Sequence, residues 1–272
     1  MNHVRRATPA DAEQIAAILR AEIPKIHAGL VDRTIYFCAG YARYLRDVIQ
    51  CYDRGGRALF LVYDLNGAIA GFAELCGSGH SLFANSLFVL PPFRDRFINC
   101  KLLVKGVEPY ATMADGAVIF DVFESNTRVL KWYTGLGARP VESTLWLEAL
   151  LSDHEAPRPA QCHVSDLPQA DVTYQHYGFS TFRLTTSRKS YAIGQLGLKY
   201  FRSTDGDILT DADALVMLRR IDPARALLCI IPAEVRPPAG ACAVQTVEIA
   251  RTQRLELAAG ELHRKLLPFC HA

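Results

Sequence analysis

Apolar and polar positions along the first 150 residues change period several times, and each change marks an element. Thr8-Pro9-Ala10-Asp11 opens a helix, with a capping threonine, a proline at the first helical position and an acid where a capping box wants one. Ile15, Ile18 and Leu19 then share one helical face. A second helix is predicted over residues 39–51, before Gly55-Gly56. Two strand-like runs, 57–63 and 68–75, flank Asn66-Gly67, a hairpin signal. A third long strand, 82–90, stops at Pro91-Pro92. A helix over 98–113, a strand over 117–123, a helix over 126–135 and a strand over 143–150 follow. This order predicts an α/β fold: a mixed sheet with helices packed on it.

Beyond residue 151 the pattern is weaker. SDHEAPRPA, residues 152–160, is polar with two prolines and reads as a linker. Residues 179–185 and 191–202 read as paired strands, and Thr210-Asp211-Ala212-Asp213 caps a short helix carrying Ala214, Met217, Leu218 and Ile221 on one face. Strands over 226–231 and 243–249 and a closing helix over 254–266 complete a second, smaller α/β unit. The expected domains are therefore 1–151 and 161–272, joined by 152–160. One internal echo links them: Tyr133-x3-Gly137 and Tyr174-x3-Gly178. No helix pattern precedes Tyr174, so the echo is either chance or the trace of a decayed tandem repeat.

Composition narrows the class. Half of the 272 residues are hydrophobic, enough for a sizeable core, and the net charge of +2 argues against a protein built on nucleic-acid electrostatics. The most apolar run, 59–75, is interrupted by Asp64, Asn66 and Glu74 and cannot span a membrane. The first residues lack an apolar stretch after their arginines, so no signal peptide is expected, and the eight cysteines form no CxxC pair. Reduced thiols in a cytoplasmic protein are the expectation. Cys162-His163 and Cys270-His271 stand alone without partners at ligand spacing, and no metal is expected.

The chemistry concentrates in SLFVLPPFRDRFINCKLL, residues 86–103: an apolar strand, a proline stop, an arginine loop and a helix start. Unpaired N–H groups and the positive end of the dipole make such a helix start a place to hold a phosphate.

Residues 3–150 resemble the acyl-CoA N-acyltransferases of the GNAT superfamily. VRRATPADAEQIAAIL is similar to that family's first strand and helix, and FLVYDLNGAIAGFAEL to its central hairpin. Leu87-Phe88-Val89-Leu90-Pro91-Pro92-Phe93-Arg94 resembles its fourth strand and the turn after it. Val122-x3-Asn126 with Trp132-Tyr133-x3-Gly137 resembles the fifth strand and following helix. The resemblance implies acetyl-CoA or another acyl-CoA as co-substrate. Backbone at Phe88, Val89 and Leu90 would pair with the pantetheine arm, and a backbone N–H there would polarise the thioester. Arg94, Arg96, Phe97, Ile98 and Asn99 would form the pyrophosphate loop, and Asn126 would contact the pantetheine.

The family's loop reads Arg/Gln-x-x-Gly-x-Gly/Ala, whereas here Phe97 and Asn99 occupy both small positions. A Cβ there obstructs close approach of phosphate to backbone. Two readings stand: a CoA site with a distorted grip, or a retired phosphate site kept as a helix cap. Tyr133 would protonate the departing thiolate, or else pack as an amphipathic tyrosine. Glu74 is the candidate general base, with His80 and Glu124 as others. Asn126 with Ser125 is equally suited to cap the next helix.

The leading expectation is transfer of an acyl group, in first place acetyl, to a primary amine of a small molecule or peptide, with a homodimer left open. The second unit would shape the acceptor site, with Tyr174, His176, Tyr177 and Tyr191 as polar aromatic residues. The alternatives are an aminoacyl-tRNA-dependent transferase, needing a basic groove over Arg94, Arg96, Lys101 and Lys105, and a non-catalytic binding or regulatory protein.

Overall fold

The structure is a computed structural model that describes residues 3–151, 162–235 and 244–270. In chain order its principal elements are β1 (His3–Arg6), α1 (Ala12–Ile26), α2 (Tyr41–Cys51), β2 (Ala58–Leu65), β3 (Ala68–Ser78), β4 (Ser81–Val89), α3 (Ile98–Ala111), β5 (Ala117–Phe123), α4 (Thr127–Gly135) and β6 (Arg139–Ala149). They continue as β7 (Cys162–Ser165), α5 (Leu167–Tyr177), β8 (Phe179–Thr186), β9 (Ser190–Leu196), β10 (Tyr200–Ser203), α6 (Ala212–Ile221), β11 (Ala226–Pro232), β12 (Thr246–Ala258) and α7 (Ala259–Leu266). These elements fall into two compact units. One comprises Met1–Glu22, Ala42–Val141 and Gln253–Ala272; the other comprises Ile23–Tyr41 and Glu142–Thr252.

In the first unit the strands lie in the order β1-β2-β3-β4-β5-β12, with β12 represented by its second half. The Asn66-Gly67 hairpin forms as its residues dictate, both at positive φ (54° and 90°), which the twist of a two-residue β-turn requires. The capping box also forms: the Thr8 backbone N–H donates to Asp11 Oδ2 at 2.6 Å. β2, β3 and β4 are antiparallel, and α3 makes the crossover that lets β5 run parallel to β4. Ile98, Leu102, Leu103 and Val107 of α3 bury one face of this sheet together with Leu255 and Leu257 of β12 and Leu262 and Leu266 of α7.

The second unit repeats this order. Its strands run β7-β8-β9-β10-β11, followed by β6. β7, β8, β9 and β10 are antiparallel, and α6 leads to β11, parallel to β10. β6 then pairs antiparallel with β11, Trp146 opposite Ile230 and Glu148 opposite Leu228. The two halves are thus topological repeats, and each takes its sixth strand from the other half's sequence. The tyrosine–glycine echo is not the trace of this repeat. Tyr174 lies on α5, the first helix of its unit, whereas Tyr133 lies on α4, after the fifth strand.

Three expectations change. The linker at 152–160 lies outside the described residues, and the units do not follow a cut there, because β6 belongs largely to the second unit and residues from 253 onward to the first. The helix expected over 254–266 begins only at Ala259; residues 246–258 form one long strand. Its buried positions shift from Ala250 and Thr252 to Leu255 and Leu257, so the strand changes the parity of its inward face where it passes from one unit's membership to the other's. That shift breaks the period-2 pattern and lets its charged residues imitate a helix. The strand expected over 191–202 is two strands, because Gly197 at φ 49° turns the chain. The unforeseen α5 starts with a proline in its first turn and stops at Gly178 in the left-handed conformation.

Candidate active site

β4 and β5 are in register from Ser81 opposite Ala117 to Ala84 opposite Phe120. Past that point the ladder between them ends, while β4 continues from Asn85 to Val89 paired with β3. A bulge between Glu74 and Leu75 of β3 leaves Asn85 without a partner opposite and bends β4 at this place. The outer edge of Ser86–Val89 is therefore backbone not taken up by β5. Phe88, Val89 and Leu90, expected to offer backbone to a ligand, lie on or just beyond this edge; the Leu90 N–H itself donates back to Ala70.

Glu74 sits at the bulge. Its Oε2 accepts from Asn85 Nδ2 at 2.7 Å and from Ser86 Oγ at 3.3 Å. Burial pushes its pKa above the ordinary glutamate value, and these two hydrogen bonds oppose the shift without cancelling it. Strand alternation places Glu74 on the face carrying Phe60, Val62 and Phe72, while Ala73 and Leu75 point into the core under α3. Tyr44 and Cys76 lie near enough to feel its charge; with burial as the larger cause, their pKa values also rise, that of Cys76 to about 11. His80 is elsewhere: it precedes β4 at the opposite end from the opening, exposed, with Nδ1 2.6 Å from Asp115 Oδ2. Glu124 is exposed beyond the end of β5.

Tyr133 lies on the other face. It is 4% exposed and stacks on Phe120, the last β5 residue in the ladder, with ring centroids 3.9 Å apart. Burial raises its pKa above that of a free phenol, so it remains protonated throughout the neutral range. Asn126 precedes α4, but its side chain makes no capping hydrogen bond. Its backbone carbonyl instead accepts from Val129 and Leu130.

The arginine loop makes a left-handed turn without glycine. Residues Pro91–Arg96 make a short 3-10 turn, and Phe97 follows at φ 53°, ψ 26°, the left-handed conformation for which glycine is ordinarily used. Phe97 is 40% exposed, and its ring packs against Phe269 with centroids 5.0 Å apart. Ile98 is buried in the core and Asn99 half-buried. No side chain caps the start of α3 and no acid lies in its first turn. Arg94 does not point free. Its Nε donates to Val89 O and its terminal nitrogen to Glu22 Oε2, each at 3.3 Å. Arg96 lies over the Phe93 ring at 5.5 Å. Nothing around Arg94 in the sequence pointed to Glu22 or Phe269; both come from distant segments.

Among its described residues, the second unit shows no equivalent opening. All four residues of β10 pair with β11, and the following turn carries Asp205 and Asp207, both bonded to Lys189, in place of an arginine. Its aromatic residues are committed: Tyr191 donates to the buried Asp211 at 2.9 Å, Tyr174 donates to Gly197 O, and His176 packs edge-on to Tyr177. Among the described residues, no group of three or more His, Cys, Asp or Glu could hold a metal ion, and no helix is long and apolar enough to cross a membrane.

No protein-family model and no curated protein matches the chain. Solved structures do. A tandem GNAT protein from the clavulanic acid biosynthesis pathway is 13% identical at a TM-score of 0.62, with 95% of this chain and 99% of that chain covered. A GCN5-related N-acetyltransferase from Sphaerobacter thermophilus is 16% identical at a TM-score of 0.55, with 95% and 96% covered. The likeness extends over both halves, as the repeated strand order requires. In fold the chain is similar to these GNAT proteins, and it matches the tandem one over nearly the whole of both chains.

Proposed function

We propose that the protein is an N-acyltransferase that moves an acyl group, in first place acetyl, from acyl-CoA to a primary amine by direct attack. The observation that carries this reading is the opening between β4 and β5, with a desolvated carboxylate, Glu74, on one face of the sheet and a protonated phenol, Tyr133, on the other. A thioester lying along Ser86–Val89 would have an amine approach from the Glu74 side. The nitrogen attacks the carbonyl carbon as its proton passes to Glu74, directly or through a water. A backbone N–H of β4 steadies the oxyanion, the C–S bond breaks, and the thiolate leaves toward Tyr133, whose phenol supplies a proton. Asn126, whose side chain does not cap α4, would contact the pantetheine arm. Arg94, Arg96 and the first turn of α3 would hold the pyrophosphate, once Arg94 exchanges Glu22 for phosphate.

Calorimetric titration with CoA, acetyl-CoA and longer acyl-CoAs tests the reading. Micromolar affinity is expected. Absence of binding at millimolar ligand sinks it and leaves a non-catalytic binding protein, the reading favoured by the Glu22–Arg94 pair and by Phe97. A tRNA-directed transferase is less well supported: Arg94 faces Glu22 and Lys105 faces Glu108, which offsets the positive charge that such a groove needs.

A further inference from the structure

One face of the second unit's sheet is covered by the segment Ile23–Tyr41. Ile35 and Cys38 pack there against Leu196, Tyr200, Trp146, Leu228 and Ile230. Strand register fixes what else shares this face. Arg202 of β10 stands opposite Leu228 of β11, which stands opposite Glu148 of β6, and Trp146 stands opposite Ile230 one step along. On the other side of β10, Arg202 faces Gly194, where a side chain would press on its stem. The two ends of this face differ in how their charges are handled. Glu148 accepts from Arg33 Nε at 2.8 Å and from the Tyr200 hydroxyl at 3.2 Å. Arg202 receives no such partner.

The Arg202 guanidinium is largely removed from water, and its Nε is fully buried with nothing to donate to. Burial depresses its basicity, and Tyr36 is the group that partly offsets this. Thr34 Oγ1, in the same covering segment, is likewise buried without a partner. Withdrawing a guanidinium from water without a counter-charge is strongly unfavourable, and an arriving anion would relieve it.

We propose that Arg202 anchors a second ligand site, on the second unit, that takes a small organic carboxylate. The planar fork of an arginine matches a carboxylate in a bidentate pair, and Trp146 and Ile230, partly accessible on the same face, suit an apolar or aromatic body attached to it. A phosphate dianion fits less well. The other arginine on this face, Arg33, is held by Glu148, and the turn after β10 is acidic. Arg202 is partly accessible, so a ligand can reach it. The site does not depend on the acyl-transfer reading, since its residues belong to the second unit and the opening between β4 and β5 belongs to the first.

The test uses the full chain with Trp132→Phe, which leaves Trp146 as its one tryptophan. Titration with benzoate, benzamide and inorganic phosphate is followed by tryptophan fluorescence and calorimetry. Benzoate is expected to bind with Kd near or below about 1 mM and to perturb Trp146, with benzamide at least about tenfold weaker. Arg202→Met abolishes the benzoate signal, and Arg202→Lys, which keeps the charge but loses the fork, weakens it roughly tenfold. If the Arg202 variants do not fold, the benzoate-to-benzamide ratio on the otherwise unaltered chain decides alone. No saturable benzoate signal up to about 10 mM overturns the proposal, as does benzamide binding equal to benzoate. Phosphate binding tighter than benzoate overturns the carboxylate assignment.

Discussion

At the scale of single residues, the site is governed by which partner each charged group already has. Arg94 is shared between Val89 O and the buried Glu22, so an incoming pyrophosphate competes with a carboxylate for the same guanidinium. Glu22→Gln is therefore expected to tighten CoA binding by up to about fivefold, read by calorimetry, because a partly exposed ion pair of this kind is worth at most about 1 kcal/mol. Looser binding in that variant would mean that Glu22 positions Arg94 for phosphate rather than withholding it. Glu74 makes a prediction in pH. Its pKa is raised by burial, so its carboxylate forms only as pH climbs above the ordinary glutamate range. Base-assisted kcat/KM should rise through that window, and Glu74→Gln should flatten the rise. The same sign applies to the fold: what the neutral Glu74 contributes to stability is present below its unfolded pKa and lost as pH rises through the folded one. Tyr133→Phe should lower kcat about tenfold or more while leaving acyl-CoA affinity nearly unchanged; equal turnover removes Tyr133 from the mechanism.

At the scale of elements, the sequence was most readable where local chemistry decides the outcome. The Thr8–Asp11 box, the Asn66-Gly67 turn and the proline stop after β4 each lie where their residues demand. It was least readable where the environment decides. β12 looked helical because its inward positions change parity between Thr252 and Leu255, a consequence of two different cores that no window of sequence contains. The loop before α3 lies between these cases. The resemblance located it, and the missing glycines left a distorted grip or a retired phosphate site; the backbone at Phe97 adopts the glycine-type conformation with the ring held by Phe269. Left-handed backbone at a residue with a Cβ costs about 1–2 kcal/mol, part of which the Phe269 contact offsets. Phe97→Gly combined with Asn99→Gly should thus bind CoA more tightly at little loss of thermal stability. Unchanged affinity would place the phosphates elsewhere. Glu74's partners Asn85 and Ser86 were not readable, since the bulge that brings them beside it leaves no mark in the residues.

At the scale of the molecule, the compact units interleave along the chain, and this has a measurable consequence. The first unit's core contains Leu255, Leu257, Leu262 and Leu266, all fully or nearly buried. A fragment of residues 1–151 lacks them and leaves the outer edge of β5 without β12, so it should remain expanded or associate, as seen by size-exclusion chromatography and near-ultraviolet dichroism. In the full chain, Leu257→Ala should destabilise by about 2–5 kcal/mol and should loosen the first unit, in protection from hydrogen exchange, before the second.

The exchanged sixth strands also bear on the order in which the protein is made. A multidomain chain ordinarily folds from its N-terminal end during synthesis, each domain closing before the next emerges. Here the first unit has to wait until residues 253–270 leave the ribosome, whereas the second can assemble once β11 is available to β6. The half that carries the opening between β4 and β5 is thus the last to close, and its unclosed edge at β5 is exposed to other nascent chains throughout translation.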